Sequence, residues 1–167
     1  YCRYSSAADS SPRAKAGQMI LVASSRGAGS ALASHLMNVA DNEHVEIHDM
    51  RGFVSEDLVG AFKEAQAISR ATKCKKHLFS LSLNPPQNEA VGIEVFEDAI
   101  KRIEKSLDLA DLPRAVFFHE KKGRRHAHVV WSRIDGSELK ARKLPYFKLR
   151  LQDISRELYL DHNWDMP

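Results

Sequence analysis

The chain has 167 residues, 43% hydrophobic and 28% charged, a mixture typical of one folded domain and unlike that of a disordered chain. No apolar run approaches the roughly 18 residues of a membrane helix, no signal peptide opens the sequence, and Cys2 and Cys74 form no CxxC pair. We therefore expect a cytoplasmic protein without membrane insertion, while a net charge of +3 is too small to identify a nucleic-acid partner by itself.

The first part of the chain alternates short strands with helices. Residues 1–16 are small, polar and aperiodic, so we interpret them as a tail outside a domain that spans residues 17–167. Strands are predicted at 19–22 and 45–50. The second of these strands is followed by a helix for which Ser55 is the expected cap.

The rest of the chain adds three strands and two helices. Strands are predicted at 77–83, 114–119 and 125–134, with helices over 91–107 and near the C-terminus. Residues 119 and 126 are too close for a parallel crossover, so the last two strands must form an antiparallel hairpin. We expect an α+β fold with an antiparallel sheet of about five strands flanked by helices.

Three histidines carry the strongest chemical signal. Side chains alternate along a strand, so His126 and His128 share a face, and a hairpin that closes around Gly123 places His119 opposite His126. Three neutral imidazoles suit a divalent transition metal and leave positions open for water or substrate. An H-x-H pair alone is often two packed or surface histidines, and that interpretation stays open.

The spacing H-x6-H-x-H in a hydrophobic hairpin resembles the three-histidine motif of plasmid mobilisation relaxases of the HUH endonuclease superfamily. The Ti-plasmid border-nicking and mobilisation type is the most similar. The segment His77–Pro85 is similar to the serine-bearing strand of that family, and Leu144–Trp164 to the helix after its histidine motif. The likeness covers roughly residues 18–166.

The resemblance implies an enzyme that nicks single-stranded DNA at a plasmid transfer origin in the bacterial cytoplasm. It stays covalently attached to the 5′ end for conjugative transfer. Members of the family hold Mg²⁺ or Mn²⁺ through the three histidines. The resemblance also implies accessory relaxosome proteins, a type IV secretion coupling protein and further domains after residue 167.

The nucleophile departs from the family pattern. Members usually attack with a tyrosine on the first helix, but no tyrosine occurs here between Tyr4 and Tyr146. His35 stands at the matching position, and an imidazole can attack phosphorus to form a phosphoramidate. His48, which Arg51 follows three residues later, is the second candidate, and Tyr146 is the third.

Charged and polar residues complete the expected site. Glu43 is expected to orient a histidine or the metal. The residues expected to contact DNA phosphates are Arg51, Lys121, Arg124, Arg125 and Ser82. Basic residues also cluster at 73–76 and 140–143, where they can follow a phosphate backbone or simply be solvated. Trp131 and Phe118 can stack on bases, but they alternate to the face opposite the histidines, which favours core packing.

Two other functions stay open. A metalloenzyme unrelated to DNA, such as a cupin-like oxygenase, also uses an H-x-H strand pair, although the readable helices argue against a cupin. The second alternative is a relaxase-derived module that binds DNA without nicking it. The absence of the usual tyrosine is the main support for this alternative.

Overall fold

The structure is a computed structural model that describes residues 20–27, 32, 34, 44–86 and 89–164. Five strands form one antiparallel sheet in the order β1-β3-β5-β4-β2. Their bounds are β1 Ile20–Arg26, β2 His44–Arg51, β3 Leu78–Asn84, β4 Arg114–Lys121 and β5 Arg124–Ser132. This sheet and its helices confirm the predicted α+β fold.

Three helices bounded within the described residues cover the two faces of the sheet. Helix α1 (Leu58–Ser69) packs on one face, which we call the α1 face, and helices α2 (Ile93–Leu107) and α3 (Phe147–Asp161) pack on the other, the two-helix face. A short ribbon of β6 (Ile134–Asp135) and β7 (Lys140–Ala141) follows β5. Within the described residues, no helix is both long and apolar enough to cross a bilayer.

Strict alternation along the strands divides the core in two. Phe117 and Val130 belong to the cluster under α1, whereas Phe118 and Trp131 belong to the cluster under α2 and α3. Phe118 is only 5% exposed and Trp131 is fully buried. Both aromatic residues are therefore core residues, which confirms the packing interpretation over base stacking.

The predicted cap of α1 is wrong by two residues. Asp57 is the N-cap, and its Oδ1 accepts a hydrogen bond of 2.8 Å from the Gly60 N–H. This hydrogen bond also lowers the pKa of the Asp57 carboxyl. Ser55 instead donates from Oγ to Asp57 Oδ2 at 3.0 Å, so it supports the cap from outside the helix.

The hairpin between β4 and β5 closes around Gly123, as predicted, and it does so through a two-residue turn. Lys122 and Gly123 have φ values of 52° and 69°, and Lys121 pairs with Arg124 across the turn. Positive φ at both central residues is the geometry that matches the twist of two antiparallel strands, and glycine adopts it without steric cost. The turn thereby sets the register of the histidine-bearing strands.

Candidate active site

The hairpin register brings the three histidines to one face. His119 pairs directly with His126, and Phe117 pairs with His128. Alternation therefore places all three imidazoles on the α1 face, which confirms the shared face predicted from their spacing. The ring centroids of His119 and His128 are 4.5 Å apart.

Phe117 supports two of these rings from the core. Its ring is fully buried and lies parallel to the ring of His128, with an interplanar angle of 11° and centroids 5.5 Å apart. The ring of His119 is 5.3 Å away from it. Because Phe117 is held in the cluster under α1, it gives both imidazoles a rigid apolar base.

Strand β3 adds a residue that orients the third ring. Asn84 Oδ1 lies 2.8 Å from Nδ1 of His126, and Asn84 Nδ2 donates to Ser82 Oγ at 3.1 Å. Since the amide oxygen can only accept, Nδ1 of His126 is the protonated nitrogen. In the neutral ring, Nε2 then carries the lone pair, which is the form that ligates a metal.

Asn84 was missed in the sequence. It has the same parity as Ser82 along β3, and that alternation was the available signal, but its position before Pro85 and Pro86 marked it only as the end of a strand. Ser82 was expected to contact DNA, and it lies on the α1 face opposite His128 in the pairing of β3 with β5.

The donor chemistry of this cluster fits a divalent metal, since three imidazoles lie on one face of two paired strands. The side chains are not already closed around one position. Within the described ranges, no group of three or more His, Cys, Asp or Glu side chains is arranged to hold an ion. His119 and His128 are adjacent, whereas His126 is turned towards Asn84.

The second nucleophile candidate lies on the other side of the sheet. A β-bulge interrupts β2 between Ile47 and Asp49. The ring of His48 packs edge-on against Phe118, with centroids 5.0 Å apart, and its Nε2 lies 3.0 Å from Glu97 of α2. The structure therefore separates His48 from the histidine cluster by the thickness of the sheet.

Arg51, which was expected to contact a phosphate, forms hydrogen bonds within the protein. Its Nη2 donates to Glu104 Oε1 at 2.8 Å and to the Leu112 carbonyl oxygen at 3.0 Å. The same carboxylate oxygen accepts from Arg114 at 3.0 Å and from the Trp131 ring at 2.9 Å. This buried network ties β2, β4 and β5 to α2.

The basic residues at the hairpin tip divide between the two faces. Arg124 alternates to the α1 face, where its Nη2 donates to the Pro85 carbonyl oxygen at 2.7 Å. Arg125 alternates to the two-helix face, with its guanidinium 5.6 Å from the centre of the Phe118 ring. Lys121 ends β4, and its side chain is outside the described part of the structure.

Two further expected residues, His35 and Glu43, lie outside the described residues. The third nucleophile candidate, Tyr146, is 76% exposed at the start of α3. The geometry of the candidate site therefore rests on the hairpin and on β3.

Comparison with known proteins identifies the family. No curated protein sequence is significantly similar to the chain. Residues 33–164, well over half of the chain, match the family described as relaxase, MobA/VirD2-like, nuclease domain. The match includes the hairpin, the neighbouring strand β3 and all three helices described above. The chain therefore belongs to the MobA/VirD2-like relaxases and comprises their nuclease domain.

Proposed function

We propose that this domain nicks single-stranded DNA at a plasmid transfer origin and keeps the 5′ end covalently attached for conjugative transfer, as in the Ti-plasmid border-nicking and mobilisation type. Membership of the relaxase family supports a nicking endonuclease in general. The observation that carries the finer proposal is the placement of His119, His126 and His128 on one face of two paired strands.

We propose that these three histidines hold Mg²⁺ or Mn²⁺. When bound, such an ion polarises a phosphate oxygen and offsets charge that develops on it. The contribution of the chain is to prepare the ligands: Phe117 packs against His119 and His128, and Asn84 selects the His126 tautomer with its lone pair on Nε2.

For the nucleophile we propose His35, on the basis of its sequence position alone. Its imidazole nitrogen forms a bond to phosphorus, the bond from phosphorus to O3′ breaks, and O3′ leaves as a hydroxyl after taking a proton. The other ring nitrogen loses its own proton in the same exchange. Glu43 is proposed to orient a histidine. His48 ranks behind His35 because its ring lies on the two-helix face.

Phosphate contacts are proposed for Lys121, and on the α1 face for Arg124 and Ser82. Arg124 and Ser82 are supported by their strand positions beside His126 and His128. Arg125 alternates to the opposite face, so it can reach DNA only where the DNA strand passes the tip of the β4–β5 hairpin. Accessory relaxosome proteins and a type IV secretion coupling protein are the proposed protein partners.

The test is covalent capture. The protein is incubated with Mn²⁺ and labelled single-stranded oligonucleotides that tile the transfer origin of the plasmid encoding it, and adducts are resolved on a denaturing gel. We expect an adduct that acid destroys, because a phosphoramidate is acid-labile, whereas a phosphotyrosine link would persist.

Variants separate the roles in this assay. His128→Ala should lose both calorimetric Mn²⁺ binding and the adduct, and His35→Ala should lose only the adduct. His162→Ala is the matched control, since that ring stacks on Trp164 at the end of α3. An adduct that persists in His35→Ala refutes that nucleophile. DNA binding without any adduct in the wild type supports the non-nicking module, which the missing tyrosine favours.

A further inference from the structure

A row of paired residues crosses the whole sheet at the level of the histidines. At this level the pairing runs without interruption from β1 through β3, β5 and β4 to β2. In order from one edge to the other, the residues are Val22, Ser82, His128, Phe117 and Ile47. We call them the cross-strand row. Because directly paired residues of adjacent strands point to the same face, all five side chains lie on the α1 face.

The two ends of the cross-strand row are apolar and exposed. Val22 on β1 is 56% exposed, and Ile47 on β2 is 40% exposed. Among the described strands, β1 and β2 are the edges of the sheet. Edge strands commonly carry charged side chains that discourage contact with other chains, whereas β1 has only apolar and hydroxyl side chains before Arg26. The aliphatic ends of the row are therefore accessible to a ligand that lies across the sheet.

The histidine site lies midway between these two ends. Each end is two strands away from His128, which at about 4.8 Å per strand is roughly 10 Å. A single strand of DNA that follows the row with one phosphate at the histidines would place neighbouring nucleotides on Val22 and on Ile47. Ser82 stands between Val22 and His128, where its hydroxyl group can donate to a phosphate of the same strand.

The aromatic residues of β4 and β5 do not supply a stacking platform for bases. Phe117 is fully buried against two of the histidines, and Phe118 and Trp131 are core residues of the two-helix face. Proteins that hold single strands without reading their sequence stack the bases on aromatic side chains. The exposed apolar groups of the row are branched aliphatic side chains instead, and apolar side chains of this kind suit the C5-methyl group of thymine.

We infer that Val22 and Ile47 are specificity-determining residues, which contact the bases on either side of the phosphate at the histidines and favour thymine through its C5-methyl group. The inference rests on the proposed function for its choice of single-stranded DNA as the ligand. Uracil has the same hydrogen-bonding groups as thymine but lacks the methyl group, so the two bases isolate the apolar contact. Burial of one methyl group at each contact corresponds to a preference for thymine of about fourfold.

The test measures binding and does not require cleavage. Fluorescence anisotropy gives the dissociation constants of two labelled single strands of equal length, one made of thymidine and the other of deoxyuridine. Wild type is compared with Val22→Ser, Ile47→Ser and the double variant, and a thermal melt checks each fold. The matched control is Val54→Ser, because Val54 is 93% exposed in the loop after β2, at the end of the sheet away from the histidines.

We expect the wild type to bind the thymidine strand about 15-fold more tightly than the deoxyuridine strand, since two contacts of about fourfold each multiply. Each single variant should retain a preference of about fourfold, and the double variant should bind both strands equally. The control should keep the wild-type ratio of the two dissociation constants. Because this ratio compares two ligands of one protein, a partial loss of folded protein does not change it.

Equal binding of the two strands by the wild type overturns the inference, and so does a thymine preference that the double variant retains. A wild-type dimer that Val22→Ser dissociates, with an unchanged ratio, would assign the β1 edge to a second copy of the chain. Failure of the proposed function looks different. In that case the wild type forms no covalent adduct with the transfer origin, while the thymine preference and its loss in the double variant remain measurable.

Discussion

Replacement of Asn84 by alanine tests whether this side chain prepares the proposed metal site. The variant removes the 2.8 Å hydrogen bond that holds Nδ1 of His126 in its protonated form. The His126 ring is then free to rotate and to adopt the other tautomer. Restoring the tautomer with its lone pair on Nε2 then reduces the net free energy of metal binding. Loss of such a supporting partner weakens metal binding about 10–100-fold, or roughly 1.4–2.8 kcal/mol.

The assay is calorimetric titration of the folded protein with Mn²⁺, supported by a thermal melt that checks the fold. Asn84→Asp should retain wild-type affinity or exceed it, because a carboxylate also accepts from Nδ1–H and makes the imidazole more basic. Ser80→Ala is the matched control: Ser80 lies on β3 with the same parity but faces Val130 in the pairing with β5. Wild-type Mn²⁺ affinity in Asn84→Ala would refute the reasoning.

Three further predictions concern the scaffold. Glu104→Ala leaves two arginines without their shared buried carboxylate, so the free energy of unfolding in urea should fall by about 3 kcal/mol; a loss below about 1 kcal/mol would contradict this role. Burial lowers the pKa of His77 below its usual 6.5, so on acidification His77 is protonated at a higher pH in the unfolded chain than in the folded protein. The contribution of neutral His77 to stability is therefore complete above about pH 6.5 and is lost as the pH falls through the lowered pKa of the folded state. His77→Phe should therefore lose less stability than wild type between about pH 7.5 and pH 5, and equal losses would exclude His77 as the cause. In Gly123→Ala the new methyl group has open space, but alanine is forced to a φ of 69°. The free energy of unfolding should fall by about 1 kcal/mol in the same denaturation assay. An unchanged urea midpoint would contradict the positive φ at this turn.

The features that the sequence predicted well are local ones. The hairpin depends on a turn of two residues, and the shared face of His126 and His128 depends only on the period of a strand. His119 follows once the turn sets the register. These three positions needed no knowledge of distant contacts, which is why the centre of the candidate site was accessible from spacing alone.

The features that the sequence did not reveal depend on long-range pairing. Val45 pairs with His119, so the alternate residues Glu46 and His48 point to the opposite face, and nothing in the sequence of β2 specifies this register. Arg51 follows His48 by three residues in the sequence, and this spacing suggested a nucleophile with an arginine that assists it. Its partner Glu104 is 53 residues away, however, and only the packing of α2 on the sheet brings the two together.

The place of the histidines within the sheet also matters for the chemistry. β5 is the central strand and β4 its neighbour, so both strands carry a hydrogen-bonded partner on each side. On the reverse of the same strands, Trp131 and Arg114 bind Glu104 in the core. The backbone that carries the proposed metal ligands is thereby restrained by two ladders and by a buried network. Ligands that must hold their positions within a fraction of an ångström are best placed on such strands. Among the described strands, β2 pairs only with β4 and its register is broken by a bulge, and its residue Arg51 binds the buried Glu104 of the scaffold.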